Sequence, residues 1–545
     1  MLYPSYGDTY PIYNGSIGMT YEQAGGPAGG LGAMMETGDT LTLTDRAMHH
    51  FTTGMSTIET ASKNKAQLLS AFHQYFTDAA SGKGNVFQSY VIKTKDSRNI
   101  NAFLDLLRNN NIQFYNGRAV SARGYNYDSR REESFQVNAD DIVVPATQTS
   151  GTLLKVLMDP DVKLSDSATY DITAWALPYA YGLKAFAVKE KIQTTNYNQP
   201  APATNNTADP YAYVIRWNGI EAVKLASELL QEGIRLRFTE TPFTSGGQSF
   251  DRGSLVVLKT GNQNSNDLWS TVRALATKYN VQLVPVSSGM VEQGFDFGSS
   301  SMRPLKSRRV ALASGDGVSS TGMGEVWHFF DQQLHYPVTI VNSGDLGRVN
   351  WSDFDVVILP SGNYSVLSDK NAAEKVKNWV SSGGVLIAME NTVAQLSKLD
   401  WGLKTKKQEE EKDADEPYDA LKKYESRERD AIPATTPGSV FRVELDNSHP
   451  LAFGYPDHYY TLKQDGRLYD FIKNNGWNVG VIKKDSRLSG FVGAELDKKL
   501  EDALVIGVQE IGRGQVVNFT DDVLFRSFWE NGKHLFANAV FLVGQ

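Results

Sequence analysis

The chain has 545 residues, with 54 Lys and Arg against 62 Asp and Glu, a net charge of −8, and no cysteine. At about 150 residues per domain this length predicts three or four folded regions. The charge balance argues against a nucleic-acid partner, which needs a basic surface; the missing cysteines exclude disulfides, cysteine-ligated metals and a cysteine nucleophile. Apolar residues make up 41% and aromatic residues 11% of the chain, and there is no apolar run of the roughly 18 residues that a membrane span requires.

The first forty residues are rich in glycine and proline, and only SIGMTYE at 16–22 alternates well enough to predict a short strand. No signal-peptide pattern precedes this stretch, and a chain opening on YPSYGDTYPIYNG reads as cut from something longer. Residues 42–76 predict one or two amphipathic helices, with Leu68, Leu69, Phe72 and Phe76 on the helical period. DAASGKGN at 78–85 marks a boundary.

Between 86 and 290 the sequence reads as a duplication. Tyr90-Val91-Ile92 returns as Tyr213-Val214-Ile215 and Leu106-Leu107 as Leu229-Leu230, both 123 residues later. The offset falls to 122 between Ile112 and Ile234, and to 113 between IVV at 142–144 and LVV at 255–257. TNYNQPAPATNNTADP at 195–210 is the expected linker.

From Arg309 onward, VALAS (310–314), VTIV (338–341), DVVILP (355–360) and VLIAM (385–389) alternate with helical segments near 322–335 and 369–381. Buried apolar strands alternating with helices predict a doubly wound parallel sheet. A mixed-charge run at 404–430 interrupts it, and FRVELD (441–446), ALVIGVQE (503–510), QVVNFT (515–520) and a helix near 533–542 complete it.

The chemistry-bearing patterns are few. None of the eight histidines begins an H-x-x-E or H-E-x-x-H zinc pattern; His328 with Asp331 has a comparable spacing but reads as an ordinary polar pair on a surface helix. Gly315-Asp316-Gly317 lacks the third glycine of a dinucleotide fingerprint. The turn after VLIAM, where such a fold places a nucleophile, reads Glu390-Asn391-Thr392. A carboxylate there can act as a base, but with no histidine close behind it the turn reads as a capped helix start.

Tyr3, Gly7 and Thr9 fit a Y-x-x-x-G-x-T segment, and Glu22 follows in GMTYEQAG. This resembles the C-terminal part of the active site in zinc carboxypeptidases of the carboxypeptidase A-like family. There a mobile tyrosine is followed some twenty residues later by the general base, so the resemblance implies Tyr3 and Glu22 as catalytic residues of a longer parent. TLTLTDRAMHHFTTGMSTIE at 40–59 is similar to the closing helix region of large bacterial members. LDNSHPLAFGYP (445–456) and FTDDVLFRSFW (519–529) resemble the class I glutamine amidotransferase-like domain appended to them. The implied organisation is α/β: residues 1–80 the tail of a carboxypeptidase-like domain, 81–205 and 206–300 two α/β repeats, and 301–545 a flavodoxin- or amidotransferase-like domain carrying the charged insertion.

The resemblance further implies a secreted or periplasmic protein, with zinc and a peptide substrate belonging to the full-length parent, whose H-x-x-E ligands this chain lacks. The implied activity is metallocarboxypeptidase hydrolysis in that parent, with no zinc expected on this chain and no ammonia release expected from a domain without cysteine. Two other readings stay open: a non-enzymatic secreted binding or scaffold protein recognising peptide or glycan, and a hydrolase with an unrecognised site in the α/β domain.

Overall fold

The computed structural model describes residues 3–23, 31–164, 166, 169, 171–199, 209–265, 267–406 and 423–545. Two helices, Leu43–Lys63 and Lys65–Ser81, follow the N-terminal segment. The first is started by a reciprocal cap: Asp45 N donates to Thr42 Oγ1 at 3.2 Å and Thr42 N donates to Asp45 Oδ2 at 3.0 Å. The second ends on Gly82, whose φ of +73° closes a left-handed helix end. Phe51, Met55, Ile58, Leu69 and Phe72 on this pair are exposed, so the helical period at Leu69 and Phe72 does not mark a core face here. The strand expected at 16–22 is absent; residues 17–23 carry no regular structure, and alternation alone did not supply a partner strand.

The two repeats share one topology. Strands Ser89–Ile92, Tyr115–Gly117, Ile142–Pro145 and Ala185–Val188 correspond to Ala212–Ile215, Leu236–Thr239, Leu255–Leu258 and Leu283–Val286. In both units the fourth strand lies beside the first, then the third, then the second. A helix follows the first strand of each, Ile100–Asn109 and Ile220–Gln231, which makes each a split βαβ unit. Register agrees as well: Tyr90 faces Val144 and Ala187, and Tyr213 faces Val257 and Pro285. All these pairings are antiparallel, a distinction that four-residue apolar runs do not encode. The helix ends match too, since Ile112 N donates to Leu107 O and Ile234 N to Leu229 O, both at 2.9 Å. Leu107, not Leu106, is therefore the counterpart of Leu229, and the one-residue slip in offset lies before the helix end.

The remainder is built on a nine-stranded sheet. Val338–Asn342, Val310–Ser314, Val356–Leu359, Val385–Met389 and Gly514–Phe519 run parallel, in the spatial order second, first, third, fourth, fifth of a doubly wound sheet. Ala503–Ile511, Gly476–Ser489, Ser439–Leu445 and His458–Lys463 extend it antiparallel. The expected doubly wound sheet is thus only half of this region, and two of the extending strands carry too little apolar alternation to be read from sequence. Most of the expected charged insertion, residues 407–422, lies outside the described residues. The helix Glu530–Phe541 is buried from Asn531 to Phe541, as a helix surrounded on all sides must be. It joins the units to the sheet: Trp217 Nε1 donates to Asn538 Oδ1 at 2.7 Å and Asn99 Nδ2 to Glu530 O at 3.3 Å.

Candidate functional site

The parallel strands end on a common rim, where open α/β sheets place their ligand crevice. A crevice of about 660 Å³ lies there, lined by Ser319, Ser361, Asn363, Asn391, Lys398 and Arg467 among others. Its floor is closed by the loops after the first and third parallel strands. Ser319 N donates to Ser361 O and Asn363 N to Gly317 O, both at 2.8 Å. Gly362 is required by this approach, because a Cβ there would lie 2.8 Å from Gly317 O. The Gly315-Asp316-Gly317 loop is thus occupied by a neighbouring loop rather than held open for a pyrophosphate.

At the rim stands Glu390, directly after Val385–Met389. Its φ of +48° and ψ of −109° lie where a residue with a Cβ is strained, at a cost of about 1–3 kcal/mol. It precedes the helix Asn391–Leu396 but makes no side-chain cap, so the expectation of a capped helix start is corrected: the turn is a strained elbow. Its backbone is fixed by a 2.8 Å bond from Glu390 N to Phe519 O. Burial pushes the Glu390 carboxyl up to about 8, reinforced by Asp522, Asp465 and Asp521, while a hydrogen bond with Ser361 pulls the other way.

Behind Glu390 lies a set of acids from separate elements. Glu325, from the helix Ser320–His328, shares a hydrogen bond with Asp522; burial and then this neighbouring carboxyl hold Asp522 well above the carboxylate range. Two adjacent buried carboxyls cannot both be ionised cheaply, so this pair holds a proton. Glu325 Oε1 also accepts from Arg526 N at 2.6 Å. Asp521 pairs with buried Lys463 at 3.1 Å and accepts from Thr461 Oγ1 at 2.9 Å; Asp465 is 3.5 Å from the same ammonium. Among the described residues, no three His, Asp or Glu side chains are placed to hold a metal ion.

The residues singled out by resemblance are placed differently from one another. Tyr3 is 4% exposed, edge-on to Tyr6 and Trp175 at 5.4 and 5.7 Å, with the Arg526 guanidinium 5.0 Å from its ring centre. Burial raises its hydroxyl above the usual phenol range. Glu22 is exposed, in the segment without regular structure. His328 is bonded to Ser527 at 3.0 Å. Reading the sequence found Glu390 but missed Glu325, Lys463, Asp465, Asp521, Asp522 and Arg526; the adjacent acids in FTDD were the only local signal, and their partners come from 58 to 197 residues away.

No protein-family model matches the chain. No curated protein matches it in sequence. Among solved structures it is similar to a ThuA-like protein from Bacteroides uniformis (9% identity, 42% of this chain and 89% of that chain, TM-score 0.28). It is also similar to a ThuA-like protein from Parabacteroides merdae (12%, 43% and 90%, TM-score 0.29) and a glutamine amidotransferase from Thermotoga maritima (9%, 42% and 95%, TM-score 0.27).

Proposed function

We propose that the chain is a hydrolase whose acid–base residue is Glu390. The observation that carries this reading is the strained elbow: a positive-φ backbone at a glutamate next to the crevice-lining Asn391, with no side-chain cap and, among the described residues, no ion pair. A carboxyl ionising near 8 is protonated at neutral pH and can donate its proton to a leaving oxygen or nitrogen as that bond breaks. The resulting carboxylate then accepts a proton from the attacking water, which restores the acid. Lys398 and Arg467 would hold polar or anionic parts of the substrate at the crevice wall. On the amidotransferase-like reading of residues 301–545, Glu390 stands where the nucleophile would be, and with no cysteine to form a thioester the chain releases no ammonia from glutamine.

The test is a chromogenic panel of glycosides, esters and amino-acid amides. Turnover is expected that declines above about pH 8 as the acid ionises, and that E390Q reduces by about two to four orders of magnitude without changing the circular dichroism. No turnover across the panel, or full activity in E390Q, overturns the proposal. The proton itself has a separate readout. A carboxyl whose folded value lies above its unfolded one costs nothing below about pH 4.5, and destabilises the fold progressively as pH rises to about 8. E390Q should therefore gain on the wild type by up to about 1.4 kcal/mol per pH unit across that window, measured by urea unfolding.

A second reading is that residues 1–80 belong to a metallocarboxypeptidase-type domain whose zinc and peptide site is completed by further residues. What supports it is the exposed apolar side chains of the two N-terminal helices, which a packed domain would cover. Tyr3 counts against a mobile role, since packing holds it. In a protein carrying the H-x-x-E segment, Glu22→Gln should abolish release of C-terminal amino acids from peptides; full activity there sinks this reading.

A further inference from the structure

A separate cleft of about 870 Å³ lies where the two split βαβ units meet the C-terminal region. The loops that follow the first strand of each unit, at equivalent positions, face into it and bring Arg98 and Arg216; the second unit adds Arg252. Arg98 lies 3.7 Å over the ring of Tyr455, donates from Nη1 to Gly454 O at 2.6 Å and from Nη2 to Asn531 Oδ1 at 3.3 Å. Arg216 lies 4.6 Å from the Phe250 ring centre and donates to Ser249 O at 2.7 Å. Elsewhere arginines are met by carboxylates, as Arg309 is by Asp355 and Arg303 by Glu240. Among the described residues, none of the three cleft arginines has an ion-pair partner.

The acids in the lining do not cancel this charge. Asp128 is engaged by Arg442 at 3.0 Å and Tyr460 at 3.2 Å, and burial raises the carboxyl of Glu221 toward its neutral form; Asp251 is exposed. A guanidinium taken out of water without a counter-ion is costly, and its fork of donors matches the two oxygens of a carboxylate or phosphate. We infer that this cleft binds a small organic anion carrying two or more carboxylate or phosphate groups, with Arg98, Arg216 and Arg252 as its ligands. The volume fits a molecule of metabolite size, and a cleft where several structural units meet is where such pockets recur.

Titration calorimetry of the full chain tests this with citrate as the polycarboxylate, fructose 1,6-bisphosphate as the bisphosphate and glucose as the uncharged control. Saturable binding of either anion is expected, weakening with added salt, and weakened about ten-fold or more by R216A or R252A. Citrate alone assigns the site to carboxylates and the bisphosphate alone to phosphates; either supports the proposal. Because Arg98 is packed against Tyr455, R98A risks misfolding, and R98K, which keeps the charge and loses the fork, is the informative change there. Binding of neither anion, equal binding of glucose, or affinity unmoved by R216A, R252A and R98K overturns it. Glu390 takes no part, so E390Q should bind as the wild type does, which separates this inference from the hydrolase reading.

Discussion

The two split βαβ units share strand order and register but treat their inserted hairpins differently. In the first, the long hairpin Val120–Asn126 with Arg131–Val137 pairs onto the sheet edge, and Phe135 stacks on Phe186 at 3.8 Å. In the second, the short hairpin Phe243–Ser245 with Gln248–Phe250 forms its own two-stranded sheet and packs Phe243 against Phe297. Leu283–Val286 is therefore left as an edge strand, and it carries exposed Pro285, which has no N–H to offer another strand. The core strands are dictated by which side chains must be buried; what is inserted between them decides how each edge is protected.

The largest test of that equivalence is the pair Leu107→Ala and Leu229→Ala, both fully buried at matching helix ends. Each should cost about 2–5 kcal/mol in denaturant unfolding. A cost below about 1 kcal/mol at one site and a full cost at the other would break the comparison. A smaller effect is expected where the units differ. Phe135→Ala should lose about 1–3 kcal/mol by loosening the hairpin from its edge, whereas Pro285→Thr should change stability by less than about 1 kcal/mol yet promote self-association, read by light scattering. No association by Pro285→Thr would mean that the proline does not guard its edge as the hairpin guards the other. The smallest is at the helix ends themselves, where Asn111 at φ +52° stands in the place of Gly233 at φ +74°. Asn111→Gly should stabilise by up to about 1 kcal/mol, and a loss instead would show that the asparagine side chain contributes more than its backbone costs.

What could be read from sequence follows from what sequence encodes. The tyrosines at 90 and 213 and the paired valines mark equivalent strands because burial on both faces demands apolar runs at fixed spacing. Strand direction was hidden, since Val91 and Val214 would be equally apolar in a parallel sheet. At the rim, Glu390 was visible by position after VLIAM, but its backbone angles are ones that no local preference of a glutamate predicts. The acids around it were invisible for another reason: Lys463 and Asp521, 58 residues apart, lie at the ends of strands that are not neighbours in the sheet and meet only through the tertiary fold. The strand expected up to Glu22 failed because alternation specifies a face without specifying a neighbour.

Gly514–Phe519 holds the middle place of the nine strands, between Val385–Met389 and Ala503–Ile511, and each half of the sheet reaches the other only through it. More than a hundred residues separate its partners along the chain. Closing so long a loop is entropically slow and is rewarded only at its end. Folding of this region should therefore pass through a state in which residues 310–389 have assembled as a four-stranded parallel sheet with an open edge at Val385–Met389. That edge is apolar and unguarded by proline or charge, so the time before the central strand arrives is when the chain is most exposed to aggregation.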